Sequence, residues 1–190
     1  MLNTGAAQRR AASVRHCRYL PRSFYTSTMP KTLVLFHGSS DAVATMADAT
    51  ADGVRSVRFA EVDVRRLMIG TAAASCRHRT LSSADELAGY DGLVLVAGGG
   101  PVPVEVTRLI GAAADLRLGG TVTLTVGSAF VAEASGVEGD DARWALLRAL
   151  ATLGVVLVPA SGEGVDGAKK LGHRVAHVVS WITHAKSHHH

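Results

Sequence analysis

Three short glycine-containing stretches, two of them with hydroxyl residues, stand where a chain can present main-chain N–H groups to a ligand. They are Gly38-Ser39-Ser40-Asp41-Ala42, Gly98-Gly99-Gly100 with Pro101 to Pro103 behind it, and Gly127-Ser128-Ala129-Phe130. The first follows an apolar run and precedes a helical pattern, so its free N–H groups and the Ser39 and Ser40 hydroxyls can hold an anion. The reading preferred for these residues is a plain helix cap, with Ser40 or Asp41 as the capping side chain. In the third stretch Ser128 and Phe130 are the ligand-facing candidates. No acid, base or nucleophile is spaced for catalysis, so no catalytic residue is assigned. His173 and His177, four residues apart on a helical pattern, can face one metal ion. No third ligand is spaced to join them, so they read as the polar face of a helix. Cys17 and Cys76 form neither a CxxC pair nor a metal-ligand spacing and read as free thiols.

Those stretches need a frame, and hydrophobic periodicity supplies one. Thr32 to Phe36 is continuously apolar, as expected of a strand buried on both faces. A helix is predicted over Ala42 to Val54 with Gly53 at its exit, then a strand over Val57 to Val64. An irregular segment, Arg65 to Ser83, leads to a short helix over Asp85 to Ala88 and a third strand over Gly92 to Val96. A helix over Pro103 to Asp115 and a fourth strand over Thr121 to Val126 follow. The clearest amphipathic pattern is Asp140 to Leu153, with Trp144, Leu147, Leu150 and Ala151 on one face. Val155 to Pro159 makes the fifth strand and Asp166 to Ala185 the last helix, with Trp144 and Trp181 expected to pack inward. Apolar strands alternating with helices predict an α/β fold on a five-stranded parallel sheet, as one domain over residues 29–186.

Five stretches in order resemble the flavodoxin-like family, and within it the WrbA-type NAD(P)H:quinone oxidoreductases. They are KTLVLFHGSSDAVATMADATADGV with AEVDVRRL, ELAGYDGLVLVAGG, LGVVLVP and DGAKKLGHRVAHVVSWI, and together they span most of residues 31–183. The resemblance implies a doubly wound sheet of order 2-1-3-4-5, with FMN at the carboxyl ends of the first, third and fourth strands. It implies phosphate at Gly38 to Ala42, with Gly98, Gly99, Gly100, Gly127, Ser128 and Phe130 around the ring, and homo-oligomers in an active enzyme. The chain departs from the pattern in two loops. Where the family carries Thr-Pro-Thr and an aromatic residue, this chain has Ala97-Gly98-Gly99-Gly100-Pro101-Val102-Pro103. Asp41 places a carboxylate beside the phosphate position. VAGGGP and VGSAFVAEASG also resemble the class I glutamine amidotransferase-like family, with Ser128 near the nucleophile position but without the elbow's spacing or an assignable His.

Charge divides the chain. Residues 1–28 contain five arginines, Arg9, Arg10, Arg15, Arg18 and Arg22, and no acid. Without them 15 basic residues face 16 acidic ones, and the formal charge moves from +4 to −1. A leader rich in Arg, Ser and Ala without an apolar core is the pattern of mitochondrial matrix import. No apolar run reaches the ~20 residues of a membrane span, so no membrane insertion is expected. Arg65-Arg66 and Arg77-His78-Arg79 read as solvated loop charges, and the terminal run 188–190 as a His-rich tail. Weighing the altered loops, the expectation is a flavodoxin-like protein that has lost FMN chemistry and has no cofactor. Its expected role is structural, in a mitochondrial assembly such as the mitoribosome or a respiratory complex. Its partners would be protein neighbours, with RNA reached through the leader. The alternative is an FMN-dependent quinone oxidoreductase.

Overall fold

The computed structural model describes residues 29–67, 77–132 and 137–187. The leader, Cys17, Cys76 and the terminal histidines lie outside them. Six parallel strands form one sheet: β1 Lys31–His37, β2 Glu61–Leu67, β3 Arg79–Leu81, β4 Gly92–Ala97, β5 Val126–Val131 and β6 Val156–Leu157. Their order is β3-β2-β1-β4-β5-β6. The expected five-strand order is embedded in it, and the correction is the added edge strand β3. Three residues from the segment read as irregular pair with Arg65, Arg66 and Leu67 of β2. Such a short edge strand carries too little periodicity to be visible in sequence.

Four helices cover the two faces. Helices α1 (Asp41–Arg55) and α4 (Gly164–Ser187) lie on one side, packed on Val34, Phe36, Val94, Val96, Val126 and Phe130. Helices α2 (Val104–Leu118) and α3 (Val137–Ala151), with a 3-10 turn over Ala84–Leu87, cover Leu33, Leu35, Leu93, Leu95 and Ala129 on the other. Successive strand residues point to opposite faces, so both faces of the central strands are apolar.

Several expectations are corrected. The fourth strand is β5, beginning where the expected one ends; Thr121 to Thr125 is an extended lead-in. Gly53 does not end α1. It sits on the buried face, where an added Cβ would meet the main chain of Lys169, and Gly172 on α4 faces the main chain of Thr50 in the same way. Glycine therefore serves close helix approach here, and Ser56 is the C-cap. Trp144 and Trp181 point outward, 60% and 70% exposed, because Leu146, Leu147 and Leu150 on α3, and Leu171, Val175 and Val179 on α4, already fill the core stripes. Ala151 is likewise exposed.

Candidate functional site

Strands β1, β4 and β5 end level with one another: His37 is opposite Ala97, and Ala97 opposite Val131. The chain leaves β1 for α1 on one face and β4 for α2 on the other. The two turns therefore part between adjacent strands and leave a crevice at the carboxyl edge. Gly38 to Ala42 forms its first wall. Gly38 adopts φ +134, a backbone region that favours glycine. Ser40 is the helix N-cap, and its Oγ accepts from Val43 N at 3.3 Å. Asp41 and Ala42 start the helix, where main-chain N–H groups have no intrahelical carbonyl to meet. Gly98, Gly99 and Gly100 form the second wall; Gly100 has φ +119 and open space around it.

The third expected wall is corrected. Gly127, Ser128 and Phe130 are not loop residues but the interior of β5, all buried. Ser128 Oγ donates to Val158 O at 2.5 Å, and Phe130 is 1% exposed in the α1–α4 core. Gly127 lets Val155 close on the strand, since a Cβ there would lie 2.7 Å from a Val155 methyl. Neither Ser128 nor Phe130 reaches the crevice, and a buried, engaged Ser128 is no nucleophile. Ala132 follows β5, and residues 133–136 lie outside the described residues.

One group that belongs to this edge was not assigned from sequence. His37, the last residue of β1, reaches toward the start of α2, its Nε2 3.8 Å from a Glu105 carboxylate oxygen. That nitrogen is enclosed and has no hydrogen-bond partner among the described residues. Burial pushes the His37 imidazole below its ordinary range; Glu105 works against this and Arg66 of β2 adds to it. The signal lay in the sequence: a histidine closing the otherwise apolar run Leu33-Val34-Leu35-Phe36 must sit at a strand end.

Three members of the basic clusters, Arg65, Arg77 and His78, are engaged within the fold. Arg65 donates to Glu86 at 2.7 Å and to Asp63 at 3.2 Å, and Tyr90 donates to the same Asp63 oxygen at 2.6 Å. For Asp63, burial raises the pKa, but the Tyr90 hydroxyl and Arg65 outweigh it and hold the carboxyl below its usual range. Burial first, then Asp63, pushes Tyr90 up to about 12. Arg77 and His78 both pair with Asp48 of α1, and His78 stands edge-on to Phe36 at 5.3 Å. No described group of three or more His, Cys, Asp or Glu residues is placed to hold a metal.

The crevice fits a phosphorylated ligand through main chain more than side chain. Gly38, Ser39 and the start of α1 offer N–H groups, and the Gly98 to Gly100 loop offers open backbone. Asp41 adds a carboxylate that weakens such binding, and no aromatic side chain lies on Gly98 to Pro103 to cover a flat ring. FMN matches the first property and finds little support in the second.

No family model matches the chain. A protein of Rhodopseudomonas palustris (strain BisB18) named NAD(P)H dehydrogenase (quinone) is 29% identical over 141 residues, 68% of this chain and 70% of the relative. One of the same name from Acidithiobacillus ferrooxidans is 32% identical over 123 residues, 60% of this chain and 62% of the relative. Among solved structures, an archaeal flavodoxin superposes with TM-score 0.56 at 17% identity, covering 79% of this chain and 99% of its own. A short-chain flavodoxin associated with a bacterial microcompartment gives 0.58 at 13%, covering 80% and 99%. The fold and the position of the crevice make this a flavodoxin-like protein. Its sequence is similar to that of bacterial proteins named NAD(P)H dehydrogenase (quinone).

Proposed function

We propose that this chain is an NAD(P)H:quinone oxidoreductase of low flavin affinity, with FMN held at the β1–β4 crevice. The observation that carries the reading is the pairing of a main-chain anion turn at Gly38 to Ala42 with an open triple-glycine loop, at the point where the strand order reverses. The similarity to quinone dehydrogenases supports it. FMN, if bound, would supply hydride-transfer chemistry between NAD(P)H and a quinone, with solvent providing the proton that completes the hydroquinone. The protein's part is to hold and orient. N–H groups of Ser39, Asp41 and Ala42 would hold the phosphate and the Gly98 to Gly100 loop would hold the ring, while His37 stands at the α2 side of the crevice. Purified protein is titrated with FMN by fluorescence quenching, then assayed for NADPH-dependent benzoquinone reduction. Binding weaker than that of an ordinary flavodoxin, with turnover that rises as FMN is added, is the expected result. Absence of both quenching and turnover at millimolar FMN overturns the reading.

A second reading is favoured by one observation: the hydroxyls of Ser40 and Ser128 are engaged within the fold, and Phe130 is buried. In it the domain is flavin-free and works by contact as a structural subunit in the mitochondrial matrix, its Arg-rich leader docked on protein neighbours or RNA. A colourless protein that co-fractionates with a large assembly supports it. Migration as a small homo-oligomer with quinone reductase activity refutes it.

A further inference from the structure

On the outer surface of the α1–α4 layer, away from the crevice, two imidazoles converge. His173 and His177 lie one turn apart on α4 with their Nε2 atoms 3.1 Å apart. Their rings meet edge to face at 4.6 Å between centroids. The other nitrogen of His173 is fixed by the neighbouring helix: its Nδ1 lies 2.8 Å from Ser56 Oγ. The direction of that bond follows from Ser56. Its hydroxyl donates its one proton to Gly53 O at 2.6 Å, so toward His173 it can only accept. His173 therefore carries its proton on Nδ1 and presents a bare lone pair at Nε2.

We infer that His173 and His177 form a surface site for a borderline transition-metal ion, Zn2+ or Cu2+, with Ser56 as the group that orients the first ligand. Metal–imidazole bonds of about 2.0–2.1 Å put two nitrogens on one ion about 2.9 Å apart at a right angle and about 3.4 Å apart at a tetrahedral one. The observed 3.1 Å lies between those limits. Residues four apart on a helix share a face, so no backbone change is needed to bring both Nε2 atoms to one ion; the Nε2 proton that His177 donates to His173 moves to His177 Nδ1 as the metal binds. The hydroxyl that holds Nδ1–H supplies the outer hydrogen bond typical of a metal-bound histidine. His173 is exposed and His177 half-buried, which leaves the remaining coordination positions to water. The neighbouring cation is directed elsewhere: Arg174 donates to Ser161 Oγ at 2.8 Å. The sequence alone argued against a site because no third protein ligand is spaced nearby. The structure adds a convergent nitrogen pair and a tautomer already set for coordination.

The test uses the full chain with His188→Ala, His189→Ala and His190→Ala, so that the terminal histidines do not compete. Isothermal titration with ZnCl2 is expected to show saturable binding. Adding His177→Ala abolishes it, and Ser56→Ala weakens it by about 10-fold. Ser56→Ala leaves both ligands in place and separates an oriented site from adventitious histidine binding. With CuCl2, electron paramagnetic resonance is expected to show coupling to two nitrogens, reduced to one in His177→Ala. Zinc affinity unchanged by either substitution, or no binding in the parent, overturns the inference. None of these measurements depends on flavin.

Discussion

Side chains hold both helical layers to the sheet, but the layers differ in how their own helices meet. On the α2–α3 side, leucine and valine side chains fill the space: Leu109, Leu146, Leu147, Leu150 and Leu153 close on Leu33, Leu35, Leu93 and Leu95. On the α1–α4 side the helices meet main chain to main chain at Gly53 and Gly172, with Ala47 and Ala51 on the buried face of α1. A layer packed by side chains can repack around a change of shape. A backbone-to-backbone helix crossing, as at Gly53 and Gly172, has no side chain to move. The second arrangement also carries the features that need fixed geometry: the start of α1 at the crevice, and the Ser56–His173 bond that crosses between the helices.

The largest expected effect breaks the rigid layer. Gly172→Ala gains helix propensity worth about 1 kcal/mol, yet its methyl would enter the main chain of Thr50, and relief requires α1 and α4 to part. The net cost is expected to exceed about 3 kcal/mol, beyond ordinary overpacking. Urea denaturation reads it, and a loss below about 1 kcal/mol would show that the helices slide freely. Next comes the polar cluster at the rim. Tyr90→Phe removes a hydrogen bond to a charged acceptor and should cost about 1.5–3 kcal/mol. It should also remove a pH dependence. The Tyr90 hydroxyl is pushed up to about 12, so its contribution is complete below pH ~10 and is lost as pH rises through about 12. Asp63 acts in the opposite sense. Its carboxyl is held low, so its contribution is present above pH ~4 and is lost as pH falls through its lower folded value. Leu150→Met tests the side-chain layer: though Leu150 is fully buried, the volume-conserving change should cost less than about 1.5 kcal/mol.

The central strands were legible because they are buried on both faces and so appear as unbroken apolar runs, while their order came from the family resemblance. Where a strand admits small residues, that signal fails. Val126-Gly127-Ser128-Ala129-Phe130-Val131 reads as a loop, yet Gly127 is there because Val155 packs against it, and Ser128 because Val158 O accepts its proton. Gly53 misled for the same reason. A glycine at the end of a periodic stretch signals a helix exit, and only the position of α4 reveals a close crossing. The tryptophans at helical spacing suggested core, but spacing cannot say which stripe faces inward once leucines fill another. Of the candidate site, the two turns after β1 and β4 were located correctly from sequence. His37 and Glu105 were not paired, because their proximity depends on β1 ending where α2 begins.

That pair supplies the smallest effect, a change of slope more than of level. Burial holds His37 below the usual imidazole range, so the unfolded chain takes up a proton at higher pH than the folded one. Stability is therefore expected to be full above pH ~6.5 and to fall as the solution is acidified toward the lower folded value. Glu105 opposes the shift and Arg66 reinforces it. Glu105→Gln should thus lower the His37 pKa further and steepen the acid loss, while Arg66→Gln should make it shallower. Denaturant midpoints at pH 7.5 and 5.5 give the slopes. Proton NMR of the His37 ring gives its pKa directly. Opposite shifts in the two variants are required. If both move the His37 pKa the same way, the crevice edge is not governed by these two charges, and the placement of His37 between α2 and β2 is wrong.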